Sequence, residues 1–337
     1  MELAYSTKFR LRSPFRLKRH GFLSYLYYLG YGYDFKHLGI DFMRIFRFVF
    51  RISFKFVRKS KGVFVYSTSQ DKDIFFNARN TQFHSIYLPY MKYYETEIST
   101  LIDILIKKND VFYDIGSNWG HYSLFVASNT NFNGRIHAFE PHPETFKDLS
   151  NVVLQAGLES IIHCYNTALS DSNGDAFIYK PDNTHSGTAT LLNAHKGIRI
   201  TQHKLDDLKI ENPTIIKMDV EEFEYYAFKG AEETIKKHKP YIIFENHKKI
   251  KNETFRPFEY LADLGYTFYY PMFFRLFNGH PVYNGQQNYP ADENDYELGL
   301  WEFSIKERFF LPNLINIFAC HKDMKEDLKK RILKPIN

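Results

Sequence analysis

VFYDIGSNWGHYSLFVAS, Val111 to Ser128, carries a β-rich apolar run (Val111, Phe112, Tyr113, Ile115) into a cluster of turn formers. It resumes with helical spacing at Tyr122, Phe125 and Val126. The pattern predicts strand, glycine turn, helix. Glycine has no Cβ and accepts φ > 0, so such a turn lets backbone N–H groups and a helix N-terminus approach a ligand closely. Asp114, Gly116, Ser117, Asn118 and Gly120 are therefore candidate cofactor-binding residues.

The next stretch, RIHAFEP (Arg135 to Pro141), is a second apolar strand ending in Glu140, twenty-four positions after Gly116. That is where an acidic side chain meets ribose hydroxyls in a doubly wound sheet. A dinucleotide site would show G-x-G-x-x-G, whereas this loop reads D-x-G-x-N-x-G, with an acid inside it and two glycines. A carboxylate beside the loop suits a cationic or hydroxyl-rich ligand better than a pyrophosphate, which needs uncompensated positive potential. S-adenosylmethionine, with its sulfonium and α-ammonium, is the expected cofactor, and NAD is disfavoured by the missing third glycine.

Toward the C-terminus, PHPETFKDLSNVVLQAG places Phe146, Leu149, Val152 and Val153 on one helical face and Gly157 at its stop. A strand is expected over Ile161 to Leu169. Ligands bind outside the carboxyl ends of parallel strands, so Asn166 to Asp171 is where a nucleoside base is expected. Three short β-prone pieces, Gly174 to Tyr179, Ala189 to Leu192 and Ile198 to His203, read as an antiparallel insertion, with the loop Pro181 to Gly187 facing a substrate.

The second chemical centre is PTIIKMDVEEFEYYAFKGAEETI. Ile215, Ile216, Met218 and Val220 form a buried central strand whose carboxyl end is crowded by Asp219, Glu221, Glu222 and Glu224. Acids at a helix start account for Glu222 and Glu224. Asp219 has apolar flanks on both sides, and buried carboxylates normally have partners. A further strand, Tyr241 to Phe244, ends in Glu245, Asn246 and His247.

DIGSNWG, AFEPHPETF, NTALSDSNG, KLDDL, IKMDVEEFEYYAFKGA and IIFENH, in this order from about Tyr94 to His247, resemble the FkbM-type S-adenosylmethionine-dependent methyltransferases. The resemblance implies an α/β fold of class I methyltransferase (Rossmann-like) type. Its doubly wound sheet is mostly parallel with an antiparallel final hairpin. It also implies O-methylation of sugar or polyketide-like hydroxyls. By the same likeness, Asp114, Gly116, Asn118 and Gly120 form the cofactor loop, Glu140 holds the ribose, Ala168 and its neighbours, among them Asn166 and Asp171, line the adenine, and Asp219 stands near the methionine end or the acceptor. In one departure, the family usually has glycine after the first Glu of the fourth-strand motif, where this chain has Glu222. A larger, charged residue there is expected to alter how the helix begins beside the acceptor.

Methyl transfer to a hydroxyl is an in-line displacement that needs near-attack geometry and a base for the hydroxyl proton. Asp219, Glu221, Glu245 and His247 are the candidate catalytic residues. Asp219, Glu245 and Asn246 are also oxygen ligands, but no spacing is a metal signature and no metal is expected.

N-terminal to the loop, Ile98, Leu101, Ile102 and Leu105 predict a helix over Glu95 to Lys107, with Tyr94, Glu95 and Glu97 at its start either as dipole-complementing acids or beside the cofactor mouth. Gly62 to Phe76 reads as a hairpin. Residues 1–62 hold fourteen Lys or Arg against three acids, a local excess of +11. The chain as a whole is +5, so the other 275 residues sum to −6. Within this basic arm, Arg44, Arg47, Arg51, Lys55 and Arg58 form one stripe of an amphipathic helix over 38–58. Its aromatic face could pack on the catalytic domain or a second subunit, or the helix could lie on an anionic membrane surface; nucleic acid is the least favoured partner. Charges every three or four residues exclude a transmembrane run, and MELAYSTKFRLRSPFRLKRH has no apolar signal core. Two distant cysteines, Cys164 and Cys320, suggest no disulfide framework. A cytoplasmic protein, peripheral at a membrane through its arm, is the expectation.

Phe255 to Leu264 predicts a helix and Tyr266 to Tyr270 a strand. A long polar stretch, Pro271 to Gly299, is read either as an acceptor lid or as a hairpin excursion. Trp301 to Ile305 and Ile315 to Cys320 are the last antiparallel strands, and Asp323 to Lys334 is a charged helix. The expected units are a basic helical arm over 1–62, the methyltransferase domain over 63–322 and the terminal helix over 323–337. The competing functional reading is a non-catalytic nucleoside-cofactor-binding protein whose arm and 271–299 stretch are interaction surfaces.

Overall fold

The computed structural model describes residues 1–12, 16–18, 63–65, 74, 95–179, 190–192, 197–248, 251–277, 280–283 and 296–332. The basic helix over 38–58, Tyr94, the loop 181–187 and most of the 62–76 hairpin lie outside these residues, as does 284–295.

Sixteen strands are described, β1 (Glu2–Thr7), β2 (Arg16–Lys18), β3 (Val63–Val65), β4 (Val111–Ile115), β5 (Arg135–Phe139), β6 (Ile162–Tyr165), β7 (Ala168–Leu169), β8 (Gly174–Tyr179), β9 (Thr190–Leu192), β10 (Ile198–His203), β11 (Ile215–Met218), β12 (Tyr241–His247), β13 (Tyr266–Phe277), β14 (His280–Tyr283), β15 (Glu297–Phe303) and β16 (Leu314–His321). The helices are α1 (Thr96–Leu105), α2 (His121–Ala127), α3 (Pro143–Ala156), α4 (Glu224–Lys229), α5 (Glu232–His238), α6 (Lys251–Asp263) and α7 (Lys325–Ile332).

The main sheet runs β6-β5-β4-β11-β12-β16-β13-β15-β1, with β14 paired to β13. Strands β6, β5, β4, β11 and β12 are parallel; β16 is antiparallel to β12 and to β13. The order reverses between β4 and β11, the switch point outside which a doubly wound sheet binds ligands. This is the class I methyltransferase fold expected.

Both faces of the sheet are covered, which is why its central strands are apolar almost throughout. One core combines Ile98, Leu101 and Ile102 of α1 with Leu124 and Phe125 of α2, Leu149 and Val153 of α3, and Leu328 and Ile332 of α7. The other combines Phe228 of α4, Ile235 of α5 and Phe258 and Leu261 of α6 with the opposite side of the same strands. Gly157 ends α3 at φ 66, as the sequence predicts.

Several expectations change. Residues 2–7 are not part of a helical arm: β1 pairs antiparallel with β15 and closes that edge of the main sheet. Strand β3 pairs antiparallel with β2. The strand expected over 161–169 breaks after Tyr165, and Ala168–Leu169 joins the insertion sheet, ordered β7-β10-β8-β9. Position 271–277 is not polar loop but the continuation of β13, folded back through β14. Helix α7 does not stand apart as a separate unit either. Arg331 is buried and its guanidinium bonds Asp110 at 2.8 Å, Asp327 at 2.6 Å and the carbonyl oxygen of Leu105, tying the C-terminal helix to α1 and the start of β4.

Candidate functional site

The glycine turn begins where β4 ends. Gly116 has φ 76, and a Cβ there would lie 1.8 Å from the Asp219 carbonyl oxygen. Only glycine lets the ends of β4 and β11 come this close, and the Asp219 N–H donates to the Ile115 carbonyl at 2.9 Å across the same junction. The Gly116 and Ser117 N–H groups both donate to the Phe139 carbonyl, at 3.0 and 2.9 Å, so the loop is tied to the end of β5. Asn118 takes a left-handed φ of 51 and Gly120 one of 93 before α2 starts.

Two acids hold this loop. Asp114 is 2 % exposed, and its Oδ2 accepts from the Ser123 N–H at 2.9 Å and the Ser123 hydroxyl at 2.6 Å. Burial pushes its carboxyl up to about 6 against those hydrogen bonds. The Asp114 carboxylate thus caps the N-terminus of α2, the position a pyrophosphate takes in a dinucleotide site. Glu140, at the end of β5, accepts the Asn118 N–H at 3.0 Å through Oε2 and the His142 N–H at 2.8 Å through Oε1. It is first a clamp on the loop backbone; since each carboxylate oxygen can accept two hydrogen bonds, the ribose role expected of it is compatible with that clamp.

The other cofactor candidates are dispersed. Asn166 donates from its amide to the Glu140 and Pro141 carbonyls, at 2.9 and 3.1 Å, and so stays beside the loop. Ala168 is buried against Ile178 and Ile200 in the core of the insertion sheet. Asp171 pairs with Lys229 of α4 at 2.9 Å.

At the end of β11, period-two alternation puts Lys217 and Asp219 on the same face as Asp114, which is Lys217's register partner on β4. Glu245 projects from β12 next to them. Oxygens of Asp219, Glu221 and Glu245 lie within 4.8 Å of one another, close enough to share one cation. Folding thus assembles three oxygen donors whose spacing in the sequence gives no metal signature. Burial, with Asp219 and Glu95 adding repulsion, pushes the Glu245 carboxyl up to about 10. His247 sits one residue past Asn246 with its Nδ1 3.7 Å from Glu222 Oε1. Glu221 and Glu222 have φ of 51 and 76, so the residue that replaces the expected glycine occupies a glycine-favouring conformation. Glu224 starts α4, is buried, and accepts the Val220 N–H at 3.4 Å; burial pushes it up to about 7.

Residues that sequence reasoning passed over complete the site. Lys217 is 1 % exposed, with Nζ 3.9 Å from Asp219 Oδ2 and 5.2 Å over the Tyr122 ring. The Tyr122 hydroxyl donates to Glu95, which is buried and at φ 39 just before α1. As the N-cap of α1, Glu95 makes no side-chain bond to the helix N-terminus; its carboxylate accepts from Tyr122 instead. His121 is buried next to them and its imidazole is pushed down to about 3 by burial, which keeps it neutral. Arg308, fully buried, donates to Asn246 Oδ1 at 2.7 Å and to the carbonyls of Asn246, Pro312 and Asn313 at 2.8 to 3.0 Å, fixing the end of β12 between Glu245 and His247. A lysine two residues before Asp219 in an otherwise apolar central strand was the available signal for Lys217.

Among the described residues, no helix is long and apolar enough to cross a membrane. Residues 110–268 match the sequence profile described as "Methyltransferase FkbM domain". The chain is 26 % identical over 157 residues to the hexuronic acid methyltransferase AglP of Haloferax volcanii, 45 % of this chain and 62 % of that protein, so it spans about three fifths of the relative's length. Among solved structures it is similar to the methyltransferase FkbM from Methylobacillus flagellatus KT (TM-score 0.38, 18 % identity, 58 % of this chain and 44 % of that one). It is also similar to the O-methyltransferase from Bacillus cereus in complex with SAH (TM-score 0.36, 12 % identity, 67 % and 80 %). With its motifs in family order on this sheet, the segment 110–268 is similar to the methyltransferase FkbM domain.

Proposed function

We propose that this enzyme is an S-adenosylmethionine-dependent O-methyltransferase acting on a hydroxyl of a sugar, glycan or glycolipid-type acceptor. The observation that carries the reading is electrostatic. At the switch point, beside a glycine turn that admits a close ligand, Glu95, Asp114, Asp219 and Glu245 surround the ammonium of Lys217, and Glu221 lies beside Asp219 and Glu245. A site with this excess of acid favours a cationic ligand and opposes a pyrophosphate. When bound, S-adenosylmethionine supplies a methyl group on a positively charged sulfur. The chain's part is to hold donor and hydroxyl in line, which is worth on the order of 7–11 kcal/mol at best, and to receive the hydroxyl proton. Asp219, a third exposed and at the carboxyl edge, is the residue proposed to take that proton, with Glu221, Glu245 and His247 around it. The saccharide acceptor is supported by the likeness to a hexuronic acid methyltransferase.

Calorimetric titration with S-adenosylmethionine, S-adenosylhomocysteine and NAD tests the cofactor. Binding of both adenosyl ligands, with the sulfonium form gaining more as pH rises from 6 to 8, is expected, and NAD is expected to give no heat. Asp219→Asn should keep cofactor affinity within a few-fold and lose methyl transfer to saccharide acceptors by about 100-fold or more. Retained turnover in that variant would remove Asp219 as the base. Cofactor binding with no turnover on any hydroxyl acceptor would favour the non-catalytic binding protein. The basic segment 38–58 is proposed as a peripheral contact with an anionic membrane surface; binding to anionic but not neutral vesicles tests it.

A further inference from the structure

Lys217 presents an unusual arrangement for a central strand. Its side chain is sealed at 1 % exposure, and among the described residues its Nζ has no hydrogen-bond acceptor. Burying an ammonium without partners costs several kcal/mol, so a chain retains one only where surrounding charge compensates it. That charge comes from every element around it. Glu95 precedes α1, Asp114 is on β4, Asp219 follows β11 and Glu245 is on β12, while the neutral His121 and Tyr122 of α2 and Asn316 of β16 complete the shell. Although burial opposes it, the combined carboxylates keep the Lys217 ammonium charged, holding it above the ordinary lysine range.

The carboxylates belong to different parts of the site. Asp114 caps α2 and belongs to the cofactor loop. Asp219 and Glu245 belong to the acceptor edge, and Glu95 reaches them from the helix layer that carries Tyr122, whose hydroxyl it accepts. Like charges this close in a low dielectric repel one another, and the repulsion is relieved either by protons, as on Glu245, or by a cation among the groups.

We propose that Lys217 is the positioning residue of this site, an internal counter-cation that gathers Glu95, Asp114, Asp219 and Glu245 around one point and so locks the cofactor loop to the acceptor edge. The naming of the two sides rests on the proposed function; the charge arrangement does not. The role differs from that of a lysine that fills space, because its value grows as the carboxylates ionise.

The test uses the full chain with Lys217→Met and Lys217→Arg, following thermal unfolding from pH 5 to pH 8.5 and titration with S-adenosylhomocysteine. Without the ammonium the carboxylates hold their protons more tightly in the folded state than in the unfolded one. The folded state is then penalised progressively as pH rises. The gap in Tm between the wild type and Lys217→Met should therefore widen with pH, and Lys217→Arg should close most of it. At pH 8 the Met variant should bind the ligand at least tenfold more weakly, with affinity returning in Lys217→Arg. A Tm deficit that is constant with pH and not recovered by arginine would overturn the proposal. If Lys217→Met does not fold at pH 8, it is expected to fold at pH 5, where the acids are protonated; failure at both would also overturn it. A wild-type chain that binds no adenosyl ligand but shows the widening Tm gap would sink the proposed function and leave the counter-cation standing.

Discussion

At the scale of single residues, backbone conformation and charge explain the site better than side-chain identity alone. Gly116 cannot carry a Cβ because the Asp219 carbonyl fills that space, so the glycine loop and the end of β11 are two sides of one backbone contact. Glu222 is the reverse case. At φ 76 an L-residue costs about 1–2 kcal/mol relative to glycine, and the chain retains a glutamate whose carboxylate lies 3.7 Å from His247. Strain persists where surrounding structure over-determines it, often at functional positions. Glu222→Gly should therefore raise Tm by about 1–4 °C, after subtracting the extra entropy of an unfolded glycine, while altering transfer to the acceptor. Parallel measurement of unfolding and turnover checks both halves; a fall in Tm would mean that the Glu222 to His247 contact outweighs the backbone strain.

At the scale of elements, β12 is fixed from two sides. It is parallel to β11, antiparallel to β16, and its last turn is held by the Arg308 guanidinium, which spans Asn246 and the loop carbonyls of Pro312 and Asn313. All of Arg308's bonds go to neutral oxygens, and burial alone pushes its guanidinium down to about 10. Arg308→Met would leave these buried acceptors without a donor at about 1–3 kcal/mol each, partly relieved by water. The expected loss is at least about 3 kcal/mol, or about 6–12 °C in Tm, together with weakened transfer because Glu245 and His247 flank Asn246. Thermal unfolding decides it, and a change within about 2 °C would contradict the argument.

At the scale of the whole molecule, the buried acids set the pH response. Burial pushes Asp114 up to about 6 and Glu224 up to about 7, and burial with neighbouring carboxylates pushes Glu245 up to about 10. Folded pKa values above the unfolded ones mean that the native state binds more protons, so this contribution is complete below about pH 4 and is lost as pH rises through 6 and 7 toward 10. Asp327 acts oppositely. Burial pushes it up, but Lys107, Arg331 and Tyr241 together pull it well below the carboxylate range, so its contribution is present above about pH 4 and lost as acid protonates it. Maximum stability is expected between about pH 4.5 and 6, with Tm falling toward pH 8. Saturating S-adenosylmethionine should recover more of that fall than S-adenosylhomocysteine, since it brings a positive charge to the acids. Tm measured across this range with each ligand is the check, and a Tm that rises monotonically to pH 8 would refute it.

The sequence by itself determined the strand, turn and helix of 111–128, the helix that Gly157 stops, the antiparallel insertion and the sheet to which they belong, because apolar periodicity and turn chemistry are local properties. It also marked Asp219, Glu245 and His247 as polar residues at the ends of apolar strands. Tertiary structure decided the rest. Pairing of β1 with β15 is a contact between residues nearly three hundred positions apart, and no local pattern distinguishes an edge strand from the start of a basic arm. Lys217 belongs with Asp114, Glu95 and Glu245 only because β4, β11 and β12 lie in register and α1 closes over them. Charges from four separate segments meet at one buried point, and their interaction depends on distance through space and on exclusion of water, neither of which is written along the chain.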